Sequence, residues 1–139
     1  DVTKLASAIA KKKNVRNHLK KFQSDFIKKN SKVIIEGRDI ASKIMPNADL
    51  KLFFKCSLDI KAKRRLKEFK NLNNKIKLKD VKDALKVRDF SDKNRKESPL
   101  LFTKGAVLVD TTKLNLSQMR LKLKKIVKKE INKKKYGSL

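Results

Sequence analysis

Two short stretches of this sequence carry side chains suited to holding a phosphorylated ligand, and Glu36-Gly37-Arg38-Asp39 is the first. Arg38 offers a planar fork that pairs with two phosphate oxygens at once. Asp39 can accept a hydrogen bond from an exocyclic amine or from another guanidinium, and Gly37 lets the chain turn sharply before it. The plainer alternative is an aspartate that caps a helix beside a solvated arginine. The tetrapeptide alone leaves both interpretations open.

The second stretch places Arg88, Asp92 and Arg95 at positions i, i+4 and i+7. On a helix, this spacing projects all three side chains from one face. Two guanidiniums flanking a carboxylate suit a sugar phosphate, because Asp92 can take a ribose hydroxyl while the arginines reach phosphate oxygens. An ion-pair ladder on a solvated helix face has the same spacing and contributes little stability. The spacing alone does not separate these two interpretations.

The chain has 139 residues and a formal charge of +26, which suggests binding to nucleic acid. However, the 33 lysines are spread over nearly every segment, and one tyrosine with no tryptophan offers little surface for stacking on bases. We therefore predict weak, non-specific attraction to nucleic acid and no specific nucleic-acid partner. Among so many lysines, the seven arginines mark positions where a planar fork is needed.

Three short apolar runs predict buried parallel strands, at residues 33–35, 50–56 and 106–109. Apolar residues at helical spacing predict helices around them: two over 2–29 with a break near 13–14, then 57–73, 79–94, and one from 115 or 117 to 131. The alternation of strand and helix indicates a single-domain α/β fold with a parallel sheet. In such sheets ligands bind beyond the carboxyl ends of the strands, and Gly37-Arg38-Asp39 follows the first predicted strand.

Several classes of protein are disfavoured by what the sequence lacks. No run approaches the roughly 18 apolar residues that span a bilayer, and no signal peptide opens the chain, so we expect a cytoplasmic protein without a membrane partner. A single Cys56 and a single His18 exclude an internal disulfide and a zinc site of the usual Cys/His spacing. Cys56 lies in an apolar run, which favours a small buried side chain over a catalytic thiol.

Further short motifs follow one another along the chain and, with the two stretches above, cover nearly all of it: Ala6-Ser7, Val15-Arg16, Pro46-Asn47-Ala48-Asp49-Leu50-Lys51, Arg64-Arg65, Pro99-Leu100 and Val109-Asp110-Thr111-Thr112. In this order and spacing the sequence resembles the bacterial cytidylate kinase family, which belongs to the P-loop nucleoside monophosphate kinases. The resemblance implies a P-loop kinase fold, with a parallel sheet flanked by helices. It also implies a monomeric enzyme that uses Mg²⁺ and transfers the γ-phosphoryl of ATP to CMP or dCMP, giving CDP or dCDP and ADP.

The resemblance assigns CMP binding to seven residues: Ser7, Arg16, Arg38, Asp39, Arg88, Asp92 and Arg95. In that assignment, Ser7, Arg16 and Asp39 read the cytosine edge. Arg88 and Asp92 hold the ribose, while Arg38 and Arg95 hold the monophosphate. The catalytic role falls to three arginines: Arg38, Arg88 and Arg95. Without the resemblance, Ser7 is a small helix residue and Arg16 a surface ion-pair partner.

The resemblance also places Arg64 and Arg65 near ATP, although at least one of them is expected to be a surface residue. It divides the chain into a core of residues 1–72 and 100–131, a lid of residues 73–99 that closes over the nucleotides, and a frayed basic tail of residues 132–139. The family's lid carries further arginines where this chain has Ser91 and Lys93, so one phosphate fork is missing and a point charge replaces another. We expect this departure to weaken transition-state stabilisation without changing the substrate class.

A phosphate-cradling Gly-x-x-x-x-Gly-Lys-Ser/Thr loop is absent from the sequence, which contains only three glycines. We therefore expect the first strand, this loop and most Mg²⁺ ligands to precede residue 1, and we expect the chain alone to be inactive. No metal ligand is predicted within the chain. Two alternatives stay open: a basic nucleic-acid-binding protein, and a non-catalytic relative that binds nucleotides.

Overall fold

A computed structural model describes residues 5, 8–9, 12–70 and 76–136 of the chain. The chain divides into two compact units. Unit 1 comprises Asp1–Ala48 and Asp83–Thr103, and unit 2 comprises Asp49–Lys82 and Lys104–Leu139. Each unit is therefore assembled from two stretches that are distant in the sequence.

The described helices and strands follow one another in nearly the order that the sequence predicts. In chain order they are helix α1 (Lys13–Lys29), a π-helical turn (Ile40–Ile44), strand β1 (Leu52–Lys55), helix α2 (Leu58–Lys70), helix α3 (Leu78–Asn94), strand β2 (Val107–Asp110) and helix α4 (Leu116–Tyr136). β1 and β2 pair in parallel, with Leu52 beside Val107 and Lys55 beside Asp110. The predicted α/β fold with parallel strands is confirmed.

Unit 2 contains the apolar core of the described part of the chain. Ala62 on α2 and Val109 on β2 are fully buried, and Val81 near the start of α3 is 5% exposed. Small and β-branched side chains of this kind let a helix approach a parallel strand closely. The loops at the carboxyl ends of β1 and β2 therefore belong to the unit that holds the buried apolar residues.

Local hydrogen bonds fix the starts of α2 and α4 close to where the sequence predicts them. Ser57 Oγ accepts the N–H of Ile60 at 3.4 Å, which caps α2. Before α4, Asn115 Oδ1 accepts the N–H of Gln118 at 2.8 Å, and Gln118 Oε1 accepts the N–H of Asn115 at 2.9 Å. This reciprocal pair is a capping box, and it satisfies donors that a helix N-terminus otherwise leaves unpaired.

Unit 1 is built around charge. Leu5, Ala8 and Ile9 are helical, and α1 begins after Lys12, whose backbone is extended at φ −78° and ψ 121°. The predicted break near residues 13–14 is confirmed to within about a residue. The most buried described residue of unit 1 is Asp92, which is 7% exposed. The most buried side chain of unit 1 is therefore a carboxylate, whereas the most buried side chains of unit 2 are apolar.

The structure departs from the secondary structure predicted before β1 and after α4. The strand predicted at residues 33–35 is wrong: Ile34 is fully exposed, and no described residue pairs with this run. A β-branched run forms a strand only where a neighbour takes its main-chain hydrogen bonds. Residues 132–136 of the predicted tail continue α4, and fraying of the tail stays a prediction. Lysine is a good helix former, and cations near a helix C-terminus are favourable.

The predicted lid, residues 73–99, is divided between the two units, and residues 71–75 lie outside the described part of the chain. Its role as a lid stays a prediction. None of the described helices combines the length and apolar character that crossing a membrane requires.

Candidate functional site

Asp92 lies in the last turn of α3 and is surrounded by guanidinium groups. Arg38 Nε donates to Asp92 Oδ2 at 2.7 Å, and Arg95 Nη1 donates to Oδ1 at 3.4 Å. Arg88 Nε lies 4.0 Å from Oδ2, an ion-pair contact. An ionised carboxylate tolerates such burial because it is paired. Arg38 belongs to a distant part of the sequence, so the arrangement is more than an ion-pair ladder along one helix.

Arg95 is the best-buried guanidinium of this group, with a side chain that is 12% exposed. Its Nε donates to the carbonyl of Ser98 at 2.6 Å, and its Nη1 donates to Asp92. The remaining nitrogen, Nη2, is buried and has no hydrogen-bond partner, a condition shared among the described residues only with Thr103 Oγ1. A buried donor without an acceptor costs free energy unless a ligand supplies one. The Nη2 atom therefore keeps a hydrogen-bond donor that no described residue uses.

Asp39 forms the second ion pair of unit 1, with Arg16 Nη2 of α1. Both side chains are largely buried, at 15% and 17% exposed. The main chain of Asp39 is held as well, because its carbonyl accepts the N–H of Lys43 at 2.8 Å and the hydroxyl of Ser42 at 3.3 Å. These bonds open the π-helical turn, a local form that is frequent at functional sites. Asp39 is therefore rigid at both its backbone and its carboxylate.

Gly37 is needed here for space. A Cβ atom at Gly37 would lie 2.8 Å from Ile40 Cγ1, closer than real contacts allow. The predicted role of this glycine is to allow a sharp turn, and the structure adds close packing against the π-helical turn. This packing fixes the segment that carries Arg38 towards Asp92.

We call six side chains of unit 1 the arginine cluster: Arg16, Arg38, Asp39, Arg88, Asp92 and Arg95. The cluster holds four guanidiniums and two carboxylates, an excess of two positive charges. Burial lowers the pKa of Arg95, the nearby charge of Arg16 lowers it further, and Asp92 and Asp39 oppose the effect. The pKa of Arg95 therefore depends on the charges of two ion pairs, Arg38–Asp92 and Arg16–Asp39. A phosphate monoester, which carries about −1.5 to −2 charges near pH 7, would balance the excess.

A cavity of about 280 Å³ adjoins the cluster within unit 1. Arg16 and Asp39 form part of its wall, together with side chains of α1, the π-helical turn and Ser98. Most side chains of the wall are polar or charged, and Leu19 and Ile44 contribute apolar surface. The Arg16–Asp39 pair therefore presents a hydrogen-bonding edge to an open space.

Of the seven residues predicted to bind CMP, the structure brings together the six of the arginine cluster. Ser7 lies outside the described residues. Ser91 and Lys93, which stand where the family has lid arginines, lie on α3 beside the cluster, and the Ser91 carbonyl accepts the N–H of Arg95 at 3.1 Å. Sequence reasoning missed Ser98, because a following proline favours extended backbone and so gave no signal for the positive φ found there.

Arg64 and Arg65 lie in unit 2, and their guanidiniums have partners within the protein. Arg64 donates to the Thr111 carbonyl at 2.8 Å, to the Leu114 carbonyl at 2.9 Å, to Thr111 Oγ1 at 3.2 Å and to Cys56 Sγ at 3.6 Å. Cys56 is half-buried, and its Sγ accepts the hydrogen bond from Arg64. Arg65 pairs with Glu68 at 2.7 Å and lies 4.5 Å from the centre of the Phe69 ring.

Comparison with known proteins identifies the family. A sequence profile described as cytidylate kinase matches residues 1–129. The chain belongs to the cytidylate kinase family. The cytidylate kinase of Thermosipho melanesiensis is 37% identical over 125 residues, which are 90% of this chain and 57% of that protein. That of Rickettsia canadensis is 39% identical over 111 residues, 80% of this chain and 51% of that protein.

A third relative agrees with these two: the cytidylate kinase of Thermotoga petrophila is 34% identical over 128 residues, 92% of this chain and 58% of that protein. The chain therefore spans somewhat more than half the length of the cytidylate kinases it matches. The matched residues include the whole arginine cluster.

Proposed function

We propose that the protein to which this chain belongs phosphorylates CMP or dCMP with ATP, and that the arginine cluster binds the acceptor nucleotide. The observation that carries the proposal is the buried and unpaired Nη2 of Arg95 beside a cluster with two excess positive charges. A purely structural ion-pair network gains nothing from an orphaned donor, whereas a phosphate oxygen placed there completes its hydrogen bonding.

The geometry of unit 1 suggests which residues bind the phosphate, the ribose and the base of the acceptor nucleotide. Arg95 and Arg38 hold the monophosphate, because both guanidiniums are already oriented by Asp92. Arg88, the more loosely held arginine of α3, takes the ribose together with Asp92. The Arg16–Asp39 pair reads the cytosine edge from the wall of the cavity. Asp39 can accept from the exocyclic amine of cytosine, which uracil lacks, so uracil would leave a buried carboxylate oxygen unpaired. Ser7 stays a predicted contact to the base.

Phosphoryl transfer of this kind depends on positioning and electrostatics and needs no covalent intermediate. An oxygen of the CMP monophosphate attacks the γ-phosphorus of ATP in line, and two anions must be brought together for this. The excess positive charge of the cluster lowers their repulsion, and the rigid mounting of Arg38 and Arg95 on Asp92 reduces the reorganisation that transfer requires. Arg38, Arg88 and Arg95 are therefore the proposed catalytic residues of this chain.

ATP is the proposed phosphoryl donor, and contacts from Arg64 and Arg65 to it stay predictions. Arg65 is the better placed of the two, because its partner Glu68 is 62% exposed and easily exchanged, whereas Arg64 is tied to main-chain carbonyls. ATP-dependent transfer normally employs Mg²⁺. Among the described residues no group of three or more His, Cys, Asp or Glu side chains is placed to hold a metal ion, so we assign none of them to Mg²⁺.

The experiment that tests the proposal is a coupled assay of ADP formation with the full-length gene product, ATP, and CMP, dCMP, UMP or AMP as acceptor. We expect turnover with CMP and dCMP and little with AMP. Arg95→Gln should abolish most of the CMP turnover, and Arg120→Gln on α4 is the matched control, since it removes the same charge outside unit 1. If the full-length protein phosphorylates neither CMP nor dCMP, the proposed function is wrong.

Three further predictions accompany the proposed function: a monomeric state, a cytoplasmic location, and no specific nucleic-acid partner. The last conflicts most visibly with the charge of +26. Its measurement is the salt dependence of RNA binding in filter-binding assays. A specific nucleic-acid function predicts tight binding that persists when Arg88 and Arg95 are both replaced by glutamine, whereas the proposed function predicts weak binding that disappears at physiological salt for every RNA sequence tested.

A further inference from the structure

The segment that follows α3 holds a backbone conformation that side-chain-bearing residues seldom adopt. Ser98 has φ of +52°, and it is the one non-glycine residue with positive φ in the described part of the chain. In this region the Cβ atom crowds the neighbouring carbonyl, and β-branched residues are nearly excluded. Such a conformation persists where surrounding contacts impose it, and it is found preferentially at functional sites.

Two hydrogen bonds impose this conformation, and both return to residues of the arginine cluster. The Leu100 N–H donates to the Asp92 carbonyl at 2.7 Å, which closes the loop back onto the last turn of α3. The Ser98 carbonyl accepts from Arg95 Nε at 2.6 Å, a short charge-assisted bond. The strained residue is therefore located where it can direct its carbonyl at one particular guanidinium nitrogen.

The consequence for Arg95 follows from the shape of a guanidinium. The group is planar, so fixing two of its three nitrogens fixes the third. The Ser98 carbonyl holds Nε and the Asp92 carboxylate holds Nη1, which leaves Nη2 buried and unpaired in a defined direction. If the Ser98 carbonyl moved away, Arg95 would keep a single contact to Asp92 at 3.4 Å and could rotate about it.

We infer that Ser98 is a positioning residue, whose left-handed backbone aims its carbonyl at Arg95 Nε and thereby presents Nη2 to the phosphate of the acceptor nucleotide. The inference rests on the proposed function for the identity of the ligand, but the orientation of Arg95 can be measured without any ligand. Ser98 also lines the cavity beside Arg16 and Asp39, so the same loop borders both the phosphate end and the base end of the site.

The experiment compares three substitutions at Ser98 in the full-length gene product. Ser98→Gly and Ser98→Asn both accept a positive φ and keep the carbonyl in place. Ser98→Val is β-branched and forces the backbone out of this region. The matched control is Ser31→Val, at an exposed loop residue of unit 1 whose φ is not positive. Isothermal titration gives the Kd for CMP and for ATP separately, and thermal unfolding monitors the fold.

We expect Ser98→Val to weaken CMP binding about tenfold or more, because one charge-assisted contact to phosphate is lost. The Kd for ATP should change less than about twofold. Ser98→Gly, Ser98→Asn and Ser31→Val should bind both nucleotides like the unmodified protein. A purely structural role for Ser98 predicts instead that CMP and ATP affinity fall together, and that result, or unchanged CMP affinity in Ser98→Val, overturns the inference.

A second measurement separates this inference from the proposed function and applies even if Ser98→Val folds poorly. Arginine-labelled NMR follows the exchange of the Arg95 Nε–H with water in the absence of nucleotide. We expect slow exchange in the unmodified protein and in Ser98→Gly. We expect fast exchange in Ser98→Val, which counts only if that variant keeps the thermal unfolding transition of the unmodified protein. Fast exchange in the unmodified protein contradicts the positioning role. If the Nε–H is protected but CMP does not bind, the proposed function fails while the orientation of Arg95 by Ser98 stands.

Discussion

Arginines in the two units of this chain have different kinds of partner. In unit 1, Arg38, Arg88 and Arg95 share one buried carboxylate, and one buried guanidinium nitrogen, Arg95 Nη2, has no acceptor. In unit 2, Arg64 makes four hydrogen bonds, two of them to main-chain carbonyls of the loop that follows β2. Carbonyls are neutral and belong to the fold, so Arg64 joins α2 to that loop.

The partners of its guanidinium donors distinguish a binding arginine from a structural one. A structural guanidinium uses its donors on groups that are present whenever the protein is folded. A binding guanidinium is held by some of its donors and keeps others for a ligand, and it stands where positive charge exceeds negative charge. By the use of their donors, Arg95 is suited to binding and Arg64 to structure.

The largest effect is expected from Asp92→Asn, because this carboxylate orients three guanidiniums. The substitution keeps the size of the side chain but leaves buried positive charge without compensation. We expect kcat/KM for CMP to fall about a hundredfold and the free energy of unfolding to drop by about 2 kcal/mol, below the full cost for a wholly buried pair because Arg38 and Arg88 are partly exposed. Steady-state kinetics and denaturant titration of the full-length protein measure both quantities.

Asp83→Asn is the matched control for this substitution. Asp83 lies on the same helix and pairs with Lys86 at 3.9 Å, with both side chains more than half exposed. It should leave activity unchanged and stability within about 0.5 kcal/mol. Equal effects of the two substitutions would mean that the cluster is no more than a set of surface ion pairs.

Arg95→Lys removes the planar fork and keeps the charge. A lysine ammonium can reach Asp92 but cannot also hold the Ser98 carbonyl and present a third nitrogen. We expect the Kd for CMP to rise about tenfold to thirtyfold, with Tm changed by only a few degrees. Titration calorimetry of the full-length protein provides the first value and calorimetric unfolding the second. A Kd within twofold of the unmodified value would show that net charge alone binds the phosphate.

Arg64→Lys is the corresponding change in unit 2, and the opposite pattern is expected. A lysine can replace at most some of the four hydrogen bonds, so the loop after β2 is held less firmly. We expect the free energy of unfolding to fall by about 1–2 kcal/mol while the Kd for CMP stays within about twofold. Loss of CMP affinity without loss of stability would place Arg64 among the binding arginines and contradict the comparison.

The sequence was most informative where periodicity and capping decide local structure. The starts of α2 and α4 followed from Ser57 and Asn115, whose side chains satisfy the first donors of each helix. Helical spacing likewise placed Arg88, Asp92 and Arg95 on one face. The strand at residues 33–35 could not be judged from its own composition, because a strand depends on a partner elsewhere in the chain.

The positions of Arg38 and Ser98 around the cluster were beyond the reach of sequence patterns. Spacing along a helix cannot show that Arg38 comes to lie 2.7 Å from Asp92, since that contact depends on the tertiary fold. A positive φ at Ser98 has no compositional signal, because serine has no preference for the left-handed region and the conformation is imposed by bonds to Arg95 and Asp92. The family resemblance supplied the role of Arg38 but not the role of Ser98.

The smallest effect concerns Asp110, a carboxylate of unit 2 that is satisfied locally, in contrast to Asp92. The Thr112 hydroxyl and the Thr112 N–H lower the pKa of Asp110, and the N–H lies 2.8 Å from Oδ1. A depressed folded pKa stabilises the native state above the unfolded pKa, near 3.9, and this contribution is lost as pH falls through the folded value. Thr112→Val removes the hydroxyl but keeps the N–H, so the Asp110 midpoint in an NMR titration should rise part of the way to its ordinary value. CMP affinity should not change, because the partners of this carboxylate belong to the fold. A change in CMP affinity together with the shifted midpoint would contradict the separation of binding and structural charge between the two units.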